Sequence, residues 1–248
     1  MNLNLSHTAA IVLAAGRGKR MNAKNKNKVA FRLNGRAMIE YTVQHLHEAG
    51  VNQVIAVVGY QADSVRAALG STVTYALQKE QLGTGDAIRS AIPSLPSDTD
   101  TVLAVYGDDS AFYPPSLFVE MVAQKRATSA DLLFLTIHKD NPVGLGRIVR
   151  DAAGNILRIV EEKNATEAEK KIQEINTGFY CFDRLFLENY IDKITENPVS
   201  GEYYLTDMVE IALKAGKKVE AMFVRDDSIW HGVNNRSDFV KAQKKITQ

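Results

Sequence analysis

Short, nearly continuous apolar runs alternate along this chain with stretches whose apolar residues recur at helical spacing. Runs rich in Val, Ile, Leu, Ala and Phe occupy 9–13, 53–58, 73–77, 101–106, 132–137, 175–182 and 219–224. Most lack the alternation of a strand with one wet face, so they predict strands covered on both faces. Between the first two, Met38, Ile39, Thr42, Val43 and Leu46 mark one face of a helix that Gly50 stops after Ala49. Further helices are expected over 62–69, 85–91, 115–127, 184–194 and 206–215, with a solvated one over 238–248. Alternation of this kind predicts an α/β fold: a Rossmann-like, doubly wound sheet that takes ligands at the carboxyl ends of its strands.

The pattern loosens after Leu135. The runs 146–150 and 156–160 flank Asp151-Ala152-Ala153-Gly154-Asn155, which predicts a β-hairpin with a Gly-Asn turn and, through it, a smaller lobe over the first. The polar stretch 163–171 predicts a mobile loop or a short surface helix. At 248 residues and 45% hydrophobic, the chain suffices for one sizeable core or for two lobes sharing one sheet. Thirty Lys and Arg stand against 29 Asp and Glu, a net charge of +1, so no basic field argues for nucleic acid. No apolar run approaches the roughly 20 residues of a membrane helix, and residues 1–7 lack the charged and long apolar parts of a signal peptide. The single cysteine, Cys181, sits in a strand pattern and reads as core. The five histidines show no zinc spacing. A soluble cytoplasmic protein is expected.

Candidate chemistry clusters where strands end. The first strand runs into Leu13-Ala14-Ala15-Gly16-Arg17-Gly18-Lys19-Arg20-Met21, a small-residue loop whose backbone and cations suit phosphates. It matches neither the P-loop nor the dinucleotide fingerprint, and a plain strand-to-helix turn stays open. Gln78 precedes Gly83-Thr84-Gly85; its amide offers a donor and an acceptor to a nucleobase, while the glycines suit close approach of a ligand or merely start a helix. Tyr106-Gly107-Asp108 puts a carboxylate at a strand end, as a hard cation or a simple turn would use it. Glu174-Ile175-Asn176-Thr177-Gly178 sets polar groups at the head of a buried run, and Gly201-Glu202-Tyr203-Tyr204-Leu205-Thr206-Asp207 is either a binding wall or a helix cap. Gly232-Val233-Asn234-Asn235-Arg236 is a turn or a source of a second hard-oxygen ligand.

Taken in order, LAAGRGKRM, QLGTG, YGD, GRIVRD, IVEEKNA, EINTG, GEYYLTD and GVNNR resemble the sugar-1-phosphate nucleotidylyltransferases, most closely the bacterial N-acetylglucosamine-1-phosphate uridylyltransferases. The likeness runs from about Ile11 to Arg236. It implies a mixed sheet with a sugar-binding β insertion, and one nucleotidylyltransferase domain over 1–248. About 8–110 would bind nucleotide, about 111–236 the sugar, and 237–248 would form a terminal helix. By resemblance, Leu13, Ala14, Ala15 and Gly16 wrap the nucleotide, and Arg20 and Lys28 clamp its phosphates. Gln78, Gly83 and Thr84 read the base. Tyr106, Gly107, Gly146, Glu161, Asn176, Tyr204 and Thr206 face the sugar, and Asp108 and Asn234 hold Mg²⁺. The implied partners are UTP and a sugar-1-phosphate, with no nucleic acid or membrane, in a monomer or small homo-oligomer.

Three departures from the family's pattern surround this site. Asn27 replaces the proline before Lys28, so the lysine's role could pass to Lys26. Asp109-Ser110-Ala111 replaces Val-Pro-Leu after the metal aspartate, and Asp86 stands where a His or a small residue is usual. Related enzymes also continue into a left-handed β-helix that acetylates glucosamine-1-phosphate and builds a trimer; since this sequence ends at Gln248, that activity is not expected. Another sugar-1-phosphate or nucleotide, or binding without turnover, are the alternative readings.

Overall fold

The structure is a computed structural model that describes residues 3–18, 21 and 24–246. In chain order its strands are β1 (Thr8–Ala14), β2 (Arg32–Leu33), β3 (Arg36–Ala37), β4 (Gln53–Val58), β5 (Thr74–Leu77), β6 (Thr101–Tyr106), β7 (Leu132–His138), β8 (Arg147–Arg150), β9 (Ile156–Val160), β10 (Glu174–Asp183) and β11 (Val219–Val224). The helices are α1 (Met38–Glu48), α2 (Ala62–Leu69), α3 (Thr84–Ala91), α4 (Pro115–Thr128), α5 (Arg184–Tyr190), α6 (Asp207–Lys214) and α7 (Arg236–Ile246). All seven expected strands are present. The helix expected over 184–194 ends at Tyr190 and continues as a 3-10 turn, and two 3-10 turns lie in the polar stretch 163–171.

The main sheet has the order β11-β7-β10-β6-β1-β4-β5. β1, β4, β5 and β6 run parallel, and β10 enters antiparallel between β6 and β7. The sheet is therefore mixed and Rossmann-like. Both faces are covered. Ala10, Val12 and Ala14 of β1 pack into one apolar layer with residues of α1, α2 and α4, while Ala9, Ile11 and Leu13 pack into another with α3, α5 and α6. A strand with two dry faces has no use for alternation, which is why the runs read as continuous. Hairpin β8–β9 branches from β10 and is tied down by the Arg150–Glu174 pair at 2.8 Å.

One element escapes the periodicity altogether. Asn34 and Gly35, both at positive φ, turn the two-residue strands β2 and β3 into a small hairpin. Asn-Gly is the preferred pair for such a turn, but strands this short leave no apolar pattern. Among the described residues no helix is long and apolar enough to cross a membrane.

Candidate active site

The carboxyl ends of β1, β4, β5 and β6 place four loops side by side. The first is the small-residue loop after β1, and the carbonyls of residues 13–16 are all hydrogen-bonded within the protein. Leu13 O accepts from Gly107 N at 3.0 Å, Ala15 O from Tyr60 N at 3.1 Å, and Ala14 O and Gly16 O from the Asn27 side chain at 2.8 and 3.2 Å. No acceptor among the described residues takes the N–H groups of Gly16 or Arg17. A loop with its carbonyls bound and its N–H groups free is suited to an anion. Arg20 lies outside the described residues.

Asn27 organises this region. It is 1% exposed, with φ −62° and ψ 148°, the backbone a proline would impose. Its Nδ2 also reaches Tyr60 O at 2.8 Å, its Oδ1 accepts from Val29 N at 3.1 Å, and its own N–H donates to Ser64 Oγ at 2.8 Å. Hydrogen bonds to several neighbouring segments thus replace the stiffness of the missing proline. The two candidate lysines part company here: Lys28 pairs with Asp108, whereas Lys26 lies 4.9 Å over the Phe31 ring. The second missing proline is offset in the same way, because Tyr106 O accepts from Asp109 N, Ser110 N and Ser110 Oγ. Asp109 is buried, and its charge bears on the Tyr106 and Tyr113 phenols. Asn27→Asp is expected to destabilise the fold by about 3 kcal/mol, since a carboxylate would face three carbonyls that keep no donor. Thermal denaturation should show a fall of about 6–12 °C; a fall below about 2 °C would mean that other contacts hold the loop.

Asp108 meets the far end of the chain through Val233 N, which donates to Asp108 O at 3.4 Å. Asn234 follows directly and is fixed by the start of α7. Asp238 Oδ2 accepts from Asn234 N and Asn235 N at 3.0 and 3.1 Å, and Asn235 Oδ1 accepts from Asp238 N at 3.0 Å. This reciprocal cap makes the amide-rich run more than a turn. Among the described residues no three His, Cys, Asp or Glu side chains are grouped as metal ligands.

Gln78 and Gly83, two of the expected base-reading positions, have partners within the protein. Gln78 is 3% exposed, and its Nε2 donates to Gly83 O at 3.0 Å and to Asp86 Oδ2 at 2.8 Å, so its donor is already engaged. Gly83, at φ +110°, is packed against the partner loop: a Cβ there would lie 2.5 Å from Tyr203 O and 2.7 Å from Tyr203 N. Gly85 N donates to Tyr203 O at 2.8 Å, Tyr203 N to Leu82 O at 2.7 Å, and Leu205 N to Thr84 Oγ1 at 2.9 Å. The glycines therefore dock the QLGTG loop onto the GEYYLTD loop.

The sugar positions gather beyond Tyr106, whose phenol burial pushes well above its usual range. Gly146 O accepts from Asn176 N at 2.9 Å, and the Gly146 Cα faces Asn176 and Glu161, each 3.6 Å from where a Cβ would stand. Thr206 makes no cap bond to α6; its hydroxyl donates to Glu161 Oε1 at 3.2 Å. Burial, reinforced by Asp207 and Glu202, holds the Glu161 carboxyl above the usual carboxylate range. The Asn176 amide braces the bulge in β10, donating to Tyr180 Oη at 2.6 Å and accepting from Gly178 N at 3.2 Å. Burial likewise raises the Tyr204 phenol, with Glu202 and Glu161 adding to it. Tyr180 and Trp230, whose Nε1 donates to Thr177 O at 3.2 Å, shape this region without having stood out in the sequence.

The Asp207 carboxyl, the first of α6, is pushed up to about 6 by burial and by the Glu210 charge. A raised carboxylate favours its neutral form in the fold, so the penalty is absent below about pH 4, grows to about pH 6 and is full above. Asp207→Asn should therefore raise Tm by about 2–4 °C at pH 7.5, roughly 1 kcal/mol after loss of the helix-dipole contact, and leave it unchanged at pH 4. An equal rise at both pH values would contradict this.

Residues 9–248 match the family described as nucleotidyl transferase. The chain is 40% identical over 235 residues to the bifunctional protein GlmU of Geobacillus sp. (strain WCH70), covering 95% of this chain and 51% of that protein. It is 41% identical over 242 residues to the bifunctional protein GlmU of Geobacter metallireducens, covering 97% and 50%. The chain thus spans about half the length of the curated relatives it matches. A Bacillus anthracis crystal structure in complex with sucrose, described as a glucose-1-phosphate thymidylyltransferase, superposes with a TM-score of 0.78 at 21% identity, over 96% of this chain and 94% of that one. At that identity the likeness is one of fold. On the family match over nearly its whole length, and on relatives about 40% identical over 95% of it or more, the chain belongs to the nucleotidyl transferase family.

Proposed function

We propose that the protein transfers a uridylyl group from UTP to N-acetylglucosamine-1-phosphate, giving UDP-N-acetylglucosamine and pyrophosphate, with Mg²⁺ as cofactor. The observation that carries this reading is the meeting, at the end of β6, of the Lys28–Asp108 pair with the Asn234 loop. On one side lies the anion-suited loop after β1; on the other lies the polar wall of Glu161, Asn176 and Thr206.

The residues fit a hard divalent cation. Mg²⁺ takes one or two protein oxygens together with phosphate oxygens, and Asp108 and Asn234 offer a carboxylate and an amide. The Lys28 ammonium already stands at Asp108 as a cation, so the carboxylate is placed to receive positive charge. When bound, Mg²⁺ supplies charge neutralisation between two anionic reactants.

The chain's own residues do the rest. An oxygen of the sugar phosphate attacks the α-phosphorus in line, a new P–O bond forms, and the bond to pyrophosphate breaks. The nucleophile is already an anion, so no side-chain base is required; catalysis rests on positioning and on fixed positive charge. Lys28 stabilises charge on the phosphates, with Arg20 assigned the same task by resemblance. The N–H groups of Gly16 and Arg17 bind phosphate oxygens. Glu161 and Thr206 bind sugar hydroxyls, and the loop pair QLGTG and GEYYLTD spans base and sugar. We place the enzyme in the cytoplasm, as a monomer or small homo-oligomer.

Incubation with Mg²⁺, each NTP plus dTTP, and a panel of sugar-1-phosphates tests this by pyrophosphate release. Release with UTP and N-acetylglucosamine-1-phosphate, above every other pair, is the expected result. Preference for another pair would replace the substrates, and nucleotide binding without release from any pair would make the protein a binding module.

A further inference from the structure

Asp86 and Gln78 form an arrangement that neither the motif order nor the family match accounts for. Gln78 directly follows β5, and its amide nitrogen carries two hydrogens. One is donated to Gly83 O at 3.0 Å and the other to Asp86 Oδ2 at 2.8 Å. Turning the amide over would put its oxygen against a carbonyl and a carboxylate, two acceptors, so that orientation is strongly disfavoured. No described residue donates to Gln78 Oε1. Asp86 is itself held in place: its other oxygen lies 3.7 Å from Arg89, whose Nε is 2.7 Å from Asp192. It also sits in the first turn of α3, where a negative charge is favoured.

We infer that Asp86 is a specificity-determining residue: it locks the buried Gln78 amide so that only an acceptor faces the nucleobase. This rests on the nucleotide reading of the site. A glutamine free to rotate can meet a base edge with either its oxygen or its nitrogen, so it discriminates poorly between a keto and an amino pyrimidine. A locked one rejects any base that presents a lone pair where Gln78 waits for an N–H, because two acceptors would then be buried face to face. Uracil and cytosine have opposite polarity at N3 and at the 4-position, so they are the pair that this lock separates.

The test compares UTP and CTP in wild type, Asp86→Ala and Asp86→Asn, by calorimetric binding of each nucleotide and by kcat/KM. Removing the carboxylate leaves Gly83 O alone to oppose the turn of the amide, which a base offering a lone pair can then outweigh, so Asp86→Ala should shrink the ratio between the two nucleotides by about 10-fold, in binding as well as in turnover. Asp86→Asn, which can still offer an oxygen to Gln78 Nε2, should keep the ratio within about 3-fold of wild type. A merely structural Asp86 would weaken both nucleotides alike and leave the ratio where it was; that outcome overturns the inference alone. Failure of the folded wild type to bind either nucleotide overturns it together with the nucleotide reading.

Discussion

Asp108→Asn is expected to lower kcat/KM by about 100-fold or more while the protein keeps its fold. The substitution preserves shape and removes one negative charge at the point where the Lys28 ammonium and the Asn234 loop come together. Both Lys28 and Asp108 side chains are only 15% exposed, so the charge acts in a partly dry site where it counts for more than in water. Asp108 lies beyond the last residue of β6, in a turn whose backbone hydrogen bonds come from its neighbours. The loss in stability should therefore stay near 1 kcal/mol. Lys28→Ala is expected to lose a comparable factor, and the double variant much less than the product of the two, because the residues act on the same phosphates. The Mg²⁺ concentration giving half-maximal rate should rise in Asp108→Asn and stay near wild type in Lys28→Ala. Full activity in Asp108→Asn would place the metal and the reaction elsewhere.

The second large effect is structural. Gly178→Ala should destabilise the protein by about 3–5 kcal/mol, a fall in Tm on the order of 10 °C. Gly178 sits at φ +81° inside the β10 bulge, and a Cβ there would lie 2.2 and 2.3 Å from two carbons of the Tyr106 ring. Two adjacent carbons of one ring edge are struck at once, so a small rotation of the ring does not relieve the clash. Combining Gly178→Ala with Tyr106→Ala should recover part of the loss, leaving only the backbone strain and the missing ring. Differential scanning calorimetry of the single and double variants measures this coupling directly. Strictly additive losses would show that the ring does not press on the bulge.

The sheet was readable because its physics is local. Strands such as Gln53–Val58 and Thr101–Tyr106 open on a polar residue and run on without a polar–apolar alternation, since burial on two faces leaves no other pattern. The Asn34-Gly35 hairpin was not read, because two-residue strands carry no periodicity. The site was legible as an ordered set of motifs, and the fold brings each described member to the same end of the sheet. The meaning of several members was not. Asn27 looked like a lost proline and is the hub of the loop after β1. Gln78 offered a donor and an acceptor, and one of these is taken by Asp86, eight residues on. Gly83 makes room for Tyr203, a neighbour 120 residues away in sequence.

Sequence alone determined the α/β class, the strand positions and the family, since each depends on runs of residues whose burial pattern is written into their own spacing. Tertiary structure decided which lysine faces Asp108, which atom of the Gln78 amide is engaged by Gly83 and Asp86, and what stands beside Gly83 and Gly178. Those outcomes depend on distances between segments that only the closed sheet brings within hydrogen-bonding reach.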